Sequence, residues 1–173
     1  LEETRAALPA GTEVMTRALD VSDENAVDAL VETVIAERGR IHALCNNAGI
    51  AGGDYSGITE TDTDTWRAIL NVNLLGPVFF TRAVGRHMRE QGGGAIVNVS
   101  SISALRPRGL TAYSASKGAV ISLTRAMAMD HAADGIRANC IAPGPVYTPM
   151  VYSRGMSDKA REGRRTASPL GIE

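Results

Sequence analysis

Tyr113 and Lys117 are the residues whose types and spacing most directly suggest chemistry in this sequence. Residues four apart lie on one face of a helix, so the phenol and the ammonium are predicted to be neighbours. A free tyrosine titrates near ~10, and a nearby ammonium favours its phenolate form. Such a pair can move a proton to or from an oxygen at neutral pH. The alternative is an ordinary surface pair, because this spacing also occurs by chance in helices.

Two serines, Ser100 and Ser101, close the apolar segment that precedes this helix. A hydroxyl at the end of a buried strand can hydrogen-bond a carbonyl oxygen on which charge develops. The alternative is a serine that merely forms a turn. We favour Ser101 for the chemical role, because it is the third residue after Asn98 at the strand end.

Asn73 lies inside a long predicted helix, where asparagine is not favoured. Pro77, four residues later, has no N–H to bond the Asn73 carbonyl, and Gly76 loosens the same turn. That carbonyl is therefore free to hold a water, which we expect to connect Lys117 with solvent as a proton relay. A simple proline kink is the alternative interpretation.

The elements that must position these residues alternate between strand and helix patterns. This alternation predicts one α/β domain over residues 1–173 with a doubly wound parallel, Rossmann-like sheet, whose ligands lie at the carboxyl ends of the strands. Strands are predicted at Val14–Leu19, Ile41–Cys45, Ala95–Val99 and Ile136–Ala142, and helices from Ser22 or Asp23 to Gly39, from Asp64 or Thr65 to about Gln91, and from Ala112 to about Ala133.

Composition excludes several other classes of function. The formal net charge of the 173 residues is −1, which predicts no nucleic-acid partner. No uninterrupted apolar run reaches the roughly 18 residues of a membrane span, and no cysteine or histidine motif suggests a metal. Cys45 and Cys140 lie in apolar runs and are predicted to be buried, as expected for a cytoplasmic protein.

Five motifs together resemble those of the short-chain dehydrogenase/reductase family. They are the Tyr-Ser-Ala-Ser-Lys of 113–117, the Asn-Asn-Ala-Gly of 46–49, the Asn-Val-Asn-Leu-Leu-Gly of 71–76, the Asn-Val-Ser-Ser of 98–101 and the Pro-Gly of 143–144. Each is a weak signal alone, but all five occur in the order that the family shows.

The resemblance implies an oxidoreductase that transfers a hydride between NAD or NADP and a small-molecule alcohol or ketone. It implies Asn73, Ser101, Tyr113 and Lys117 as catalytic residues, with no metal. It also implies a homodimer or homotetramer through the helices at 65–91 and 112–133. The implied cofactor contacts are Asp20 and Val21 near the adenine, Asn47, Ala48 and Gly49 at the adenosine ribose, Tyr113 and Lys117 at the nicotinamide ribose, and Pro143, Gly144, Val146 and Thr148 at the nicotinamide.

For the segment from Asn46 to Gly49, a second interpretation stays open: the motif also ties neighbouring strands together. The serine spacing departs from the family, since Ser101 lies twelve residues before Tyr113, one fewer than in many relatives.

The family's glycine-rich G-x-G-x-x-G turn does not occur in the sequence. We therefore expect the first βαβ unit and the C-terminal elements of the family fold to be absent, together with the residue that selects NAD or NADP. The chain alone should be poorly stable and bind cofactor weakly. The rival interpretation is a catalytically inactive, truncated paralogue or interaction remnant.

Overall fold

The computed structural model describes residues 5–52, 57–107, 109–148, 152 and 155–167 of the 173. Helices and strands alternate along the chain, as predicted. Their bounds are α1 Glu24–Arg38, β1 Ala43–Asn46, α2 Thr63–Leu70, a π-helical turn Asn71–Leu75, α3 Gly76–Glu90, β2 Gly94–Val99, a 3-10 turn Ile102–Ala104, α4 Thr111–Asp130, β3 Ile136–Ile141 and α5 Asp158–Ala167.

The three strands form one parallel sheet in the order β1-β2-β3. Ala43 of β1 is level with Ala95 of β2, and Gly94 of β2 is level with Ile136 of β3. This arrangement confirms the predicted parallel, Rossmann-like α/β fold. It also brings the residues that follow β1, β2 and β3 to one edge of the sheet.

One face of the sheet carries the hydrophobic core. Ile96 and Ile136 of the sheet pack there with residues from α1, α3 and α4. The core residues on these helices are Val27 and Val31 of α1, Ala83, Val84 and Met88 of α3, and Met127 of α4. Three separate helices therefore fix the sheet from the same side.

The prediction that both cysteines are buried was wrong. Cys45 is exposed and Cys140 is half-buried. Side chains alternate between the two faces of a strand. Cys45 points away from the core face, on which its neighbours Leu44 and Asn46 lie. Cys140 is on the outer strand β3, which has a neighbouring strand on one side only in the described part of the chain.

The strand predicted at Val14–Leu19 does not form. Residues 12–20 are without helix or strand, although Leu19 still packs against the core. A strand requires a hydrogen-bonded neighbour, and β1 pairs only with β2 among the described residues. The local sequence favours an extended conformation, but no strand in the described part of the chain pairs with it.

Capping side chains define where the first two helices begin. The Asp23 carboxylate accepts a hydrogen bond from the Ala26 N–H at 3.1 Å, which confirms one of the two predicted caps of α1. Asp62 caps α2 through the Thr65 N–H at 2.8 Å, so this helix begins earlier than the predicted Asp64 or Thr65.

The predicted long helix after residue 64 is continuous through α2, the π-helical turn and α3. The continuous helix Thr63–Glu90 contains an 18-residue window with a mean hydropathy of 1.3. By length and composition alone, this helix is long and apolar enough to cross a membrane. However, 39% of that window is buried inside the fold, where Val84 and Met88 join the core. Core helices of globular domains pass the same test, so this is weak evidence for a span.

A buried polar network ties the sheet to its helices. The Asn46 side-chain amide donates to Asn98 Oδ1 at 2.8 Å and to Thr81 Oγ1 at 3.3 Å. Asn98 is 0% exposed and donates to Thr124 Oγ1 at 2.8 Å. The hydrogen bonds thus join β1 and β2 to α3 and α4, which supports the strand-tying interpretation of Asn46.

We expect Asn98→Ala to lower the free energy of unfolding by about 1–3 kcal/mol, because it leaves buried polar partners unsatisfied. Urea titration measures this loss. Asn139→Ala is the matched control, since Asn139 is exposed on β3 and its replacement should change stability by less than about 0.5 kcal/mol. Equal losses in the two variants would contradict the network's role.

Candidate active site

Lys117 is the central charged group of the site. It lies on α4, is 4% exposed, and its Nζ donates to the Val99 carbonyl at 2.7 Å. This contact places the ammonium at the carboxyl end of β2. Burial lowers the pKa of Lys117 below its ordinary 10.5, while the charge of Cys140 acts in the opposite direction. Nζ lies 5.9 Å from the centre of the Tyr113 ring.

The lowered pKa of Lys117 has a consequence for stability. Between the folded-state pKa and 10.5, the unfolded chain holds a proton that the folded chain releases. The free energy of unfolding should therefore rise with pH across that interval. At neutral pH, the buried charge opposes folding.

We predict that Lys117→Met stabilises the chain at neutral pH by about 1–2 kcal/mol, and that its advantage shrinks as the pH approaches 10.5. Urea titrations at several pH values measure both effects. Lys159→Met is the control, because Lys159 is exposed on α5. A Lys117→Met variant that is less stable than the wild type at every pH would refute the prediction.

Asn73 is held at the π-helical turn by three hydrogen bonds. It is 0% exposed. Its Oδ1 accepts from the Ile50 N–H at 2.8 Å, and its Nδ2 donates to the Ile50 carbonyl at 2.9 Å and to Ser116 Oγ at 3.0 Å. The side chain is therefore fixed between the segment after β1 and helix α4.

Gly49 brings the segment after β1 into contact with this cluster. A Cβ on Gly49 would lie 3.2 Å from both Asn73 Oδ1 and Lys117 Nζ. Only a residue without a side chain leaves this space open. Three of the predicted site residues, Gly49, Asn73 and Lys117, are therefore brought together.

Ser100 and Ser101 have different environments. Ser100 is 3% exposed, and its hydroxyl donates to the Lys117 carbonyl at 2.7 Å. Ser101 is half-buried, and its Oγ accepts from the Ser103 N–H at 3.1 Å at the start of the 3-10 turn. The Ser100 hydroxyl hydrogen is thus used inside the fold, whereas that of Ser101 can serve a ligand.

Val21 approaches the helix that carries Asn73 from the N-terminal side, and Asp20 precedes it in the chain. Hydrogen bonds from the Ser22 hydroxyl at 2.7 Å and N–H at 2.9 Å lower the pKa of Asp20. A Cβ on Gly76 would lie 3.2 Å from both Val21 Cγ2 and the Val21 carbonyl. Gly76 therefore allows Val21 to approach the helix that carries Asn73.

The segment after β3 reaches the site through its first residue. The Pro143 carbonyl accepts from the Ile102 N–H at 2.9 Å, next to Ser101. Beyond it, Gly144 and Val146 are exposed, and the Thr148 hydroxyl donates to the Val146 carbonyl at 3.4 Å. Asn47 and Ala48 are also exposed. Within the described part of the chain, no hydrogen bond joins any of these five residues to Lys117.

Sequence reasoning missed two residues that organise the site. Ile50 supplies two backbone hydrogen bonds to Asn73, and nothing in its residue type signals this. Ser116, within the motif at 113–117, is 0% exposed and faces the interior. Its position three residues after Tyr113 was the available signal, because such a hydroxyl can bond the Tyr113 carbonyl.

Fold and site together define a Rossmann-like α/β domain with a cluster of buried polar side chains around Lys117 at the carboxyl edge of its sheet. A family model described as short chain dehydrogenase matches residues 1–158. The chain belongs to the short-chain dehydrogenase family.

Among curated relatives, the chain is similar to 2-(R)-hydroxypropyl-CoM dehydrogenase of Xanthobacter autotrophicus. The two are 41% identical over 137 residues, which cover 78% of this chain and 55% of the relative. Across the curated relatives that it matches, the chain spans between 50% and 66% of their length.

Solved structures give the same result. A gluconate 5-dehydrogenase from Burkholderia cenocepacia J2315, in complex with NADP and tartrate, superposes with a TM-score of 0.81 at 34% identity, covering 89% of this chain and 60% of that one. An NAD+-bound xylitol dehydrogenase superposes with a TM-score of 0.80 at 31% identity, covering 93% and 67%.

Proposed function

We propose that this chain carries the proton-transfer half of an NAD- or NADP-dependent oxidoreductase that acts on an alcohol or carbonyl compound. The observation that carries the proposal is the nearly buried Lys117 ammonium, held 5.9 Å from the Tyr113 ring centre at the carboxyl edge of the sheet. Burying a charge is costly, so a buried lysine with a lowered pKa at the edge of a sheet is a candidate functional group. The named relatives are all dehydrogenases of hydroxyl-bearing compounds.

The residues present fit the nicotinamide side of such a cofactor. Gly49 leaves space beside Lys117 that a Cβ would fill. Tyr113 and Lys117 would hold the nicotinamide ribose, and Pro143, Gly144, Val146 and Thr148 would lie along the nicotinamide. Asp20, Val21, Asn47 and Ala48 would hold the adenosine. When bound, the nicotinamide supplies the hydride acceptor or donor.

Each catalytic residue then has a distinct part in moving the proton. In alcohol oxidation, the Tyr113 phenolate oxygen accepts the hydroxyl proton of the substrate, and the Lys117 ammonium stabilises the phenolate. The Ser101 hydroxyl donates a hydrogen bond to the substrate oxygen. Carbonyl reduction uses the same groups in the opposite direction.

Asn73 supports the exit path of that proton. Pro77 has no N–H for the Asn73 carbonyl, and the helix is locally widened to a π-helical turn at this point. The proposed water on this carbonyl would connect Lys117 with solvent.

An activity screen tests the proposed function. The native gene product containing these residues should oxidise secondary alcohols, or reduce the matching ketones, with one of the two nicotinamide cofactors. The absorbance of the reduced nicotinamide reports the reaction. The absence of turnover over a broad panel, in a protein that calorimetry shows to bind the cofactor, would support an inactive remnant instead.

The 173-residue chain alone should bind reduced cofactor weakly. Its sequence has no G-x-G-x-x-G turn to hold a pyrophosphate, and residues 14–19 are not paired into the sheet. We expect a Kd at least about tenfold above that of the levodione reductase of Leifsonia aquatica, with the preferred cofactor of each. Cofactor titration by calorimetry measures both. Equal affinities would contradict this expectation.

A further inference from the structure

We propose that Ser116 is a positioning residue for the proton-transfer site, which holds the Asn73 side chain and the π-helical turn in place from the neighbouring helix. Ser116 is 0% exposed, and its hydroxyl has partners on both sides. It donates to the Tyr113 carbonyl at 2.7 Å and accepts from Asn73 Nδ2 at 3.0 Å. One hydroxyl therefore connects the backbone of Tyr113 with the side chain of Asn73.

The direction of these hydrogen bonds is fixed by chemistry. A serine hydroxyl has one hydrogen, and the Tyr113 carbonyl can only accept. The hydrogen of Ser116 is therefore committed to that carbonyl, and a lone pair is left for the Asn73 amide. The amide nitrogen of Asn73, and not its oxygen, must therefore face Ser116. The two hydrogen bonds of the same side chain to the Ile50 backbone require the same orientation.

Ser116 completes the hydrogen bonding of the Asn73 amide nitrogen. Nδ2 has two hydrogens, and the Ile50 carbonyl at 2.9 Å takes one of them. Ser116 Oγ at 3.0 Å takes the other. Without Ser116, one buried N–H of the amide would lose its partner, and only the two hydrogen bonds to the Ile50 backbone would hold the Asn73 side chain.

The contact couples two elements that carry different parts of the site. α4 holds Tyr113 and Lys117, whereas the π-helical turn holds Asn73, whose carbonyl is proposed to bind the relay water. A π-helical turn is an uncommon and less favourable conformation, so it depends on its surroundings. The hydrogen bond from Asn73 to Ser116 joins the π-helical turn directly to α4. Ser116 is therefore the residue that aligns the turn with Tyr113.

A double-mutant cycle tests this proposal, which rests on the proposed function. Ser116→Ala in the native gene product should lower kcat by about tenfold with little change in KM, because misplacement of the relay slows the proton step. In an Asn73→Ala background, Ser116→Ala should have no further effect, because its partner is gone. Ser122→Ala is the control, since Ser122 is exposed on the same helix.

A second measurement does not depend on activity. Hydrogen exchange of the Ile50 N–H, which bonds Asn73 Oδ1, should become faster in Ser116→Ala and stay unchanged in Ser122→Ala. Equal kcat losses from Ser116→Ala in both backgrounds, or unchanged Ile50 exchange, would overturn the positioning role. The exchange measurement needs no turnover, so its outcome is distinguishable from that of the activity screen, which tests the proposed function itself.

Discussion

Replacement of Tyr113 with phenylalanine should lower kcat by about 10²- to 10⁴-fold, the range that a positioned acid–base group contributes. Phenylalanine keeps the ring that lies 5.9 Å from Lys117 Nζ, so the packing of α4 should be preserved. Only the hydroxyl that is proposed to exchange the proton is lost. Cofactor affinity should fall far less than kcat, because the hydroxyl is only one of the contacts proposed for the nicotinamide ribose. Steady-state kinetics together with a cofactor titration separate the two quantities.

Tyr152→Phe is the matched control for this experiment. Tyr152 follows β3 in the chain, and its ring stacks on that of Tyr147 with 4.5 Å between the ring centres. Removing its hydroxyl keeps that ring contact and should leave kcat within about twofold. If Tyr113→Phe retained more than about a tenth of the wild-type kcat, another group would have to be the proton carrier.

Ser101→Ala should reduce kcat by about 10²-fold, whereas Ser100→Ala should mainly reduce stability, by about 1 kcal/mol. Ser101 is half-buried at the strand end, and its hydroxyl hydrogen can serve the substrate oxygen. Ser100 is 3% exposed and already donates to the Lys117 carbonyl. Kinetics and urea titration on both variants distinguish the two roles.

The two serine variants serve as controls for each other, because each removes a single hydroxyl and the two positions are adjacent. A large kcat loss in Ser100→Ala combined with a mild one in Ser101→Ala would reverse the assignment. That result would also restore the thirteen-residue spacing between the serine and Tyr113 that the family resemblance favours.

Much of the architecture could be predicted because it is encoded locally. The alternation of apolar strand segments with helical periodicity predicted the parallel sheet, and Asp23 and the glycines after residue 91 marked helix ends. The chemical pair was also local, since Tyr113 and Lys117 are one helical turn apart. Their roles remain proposals, but the spacing that suggested them depends on no distant contact.

The remaining features depend on residues far apart in the sequence. The Ile50 backbone reaches Asn73 across 23 positions, and Asn73 reaches Ser116 across 43. Such contacts have no periodic signal. The errors have the same origin. Val14–Leu19 has strand-like residues, but none of the described strands lies beside it. The exposure of Cys45 depends on which face of the sheet the helices cover.

The π-helical turn at Asn71–Leu75 determines where the long helix tolerates a change in length. A π-helical turn holds one residue more than the α-helical turn that it replaces. Deleting one residue there would close it to an α-helical turn and remove the local widening at Asn73, while α2 and α3 would keep about the same relative orientation. Deleting one residue within α2 or α3 would instead rotate the two sides of the deletion against each other by about 100°. The surface of α2 that contacts α4 and the surface of α3 that contacts α1 could then not both be packed. Single-residue deletions in this helix should therefore be confined to the π-helical turn, and other changes in length should occur in the loops.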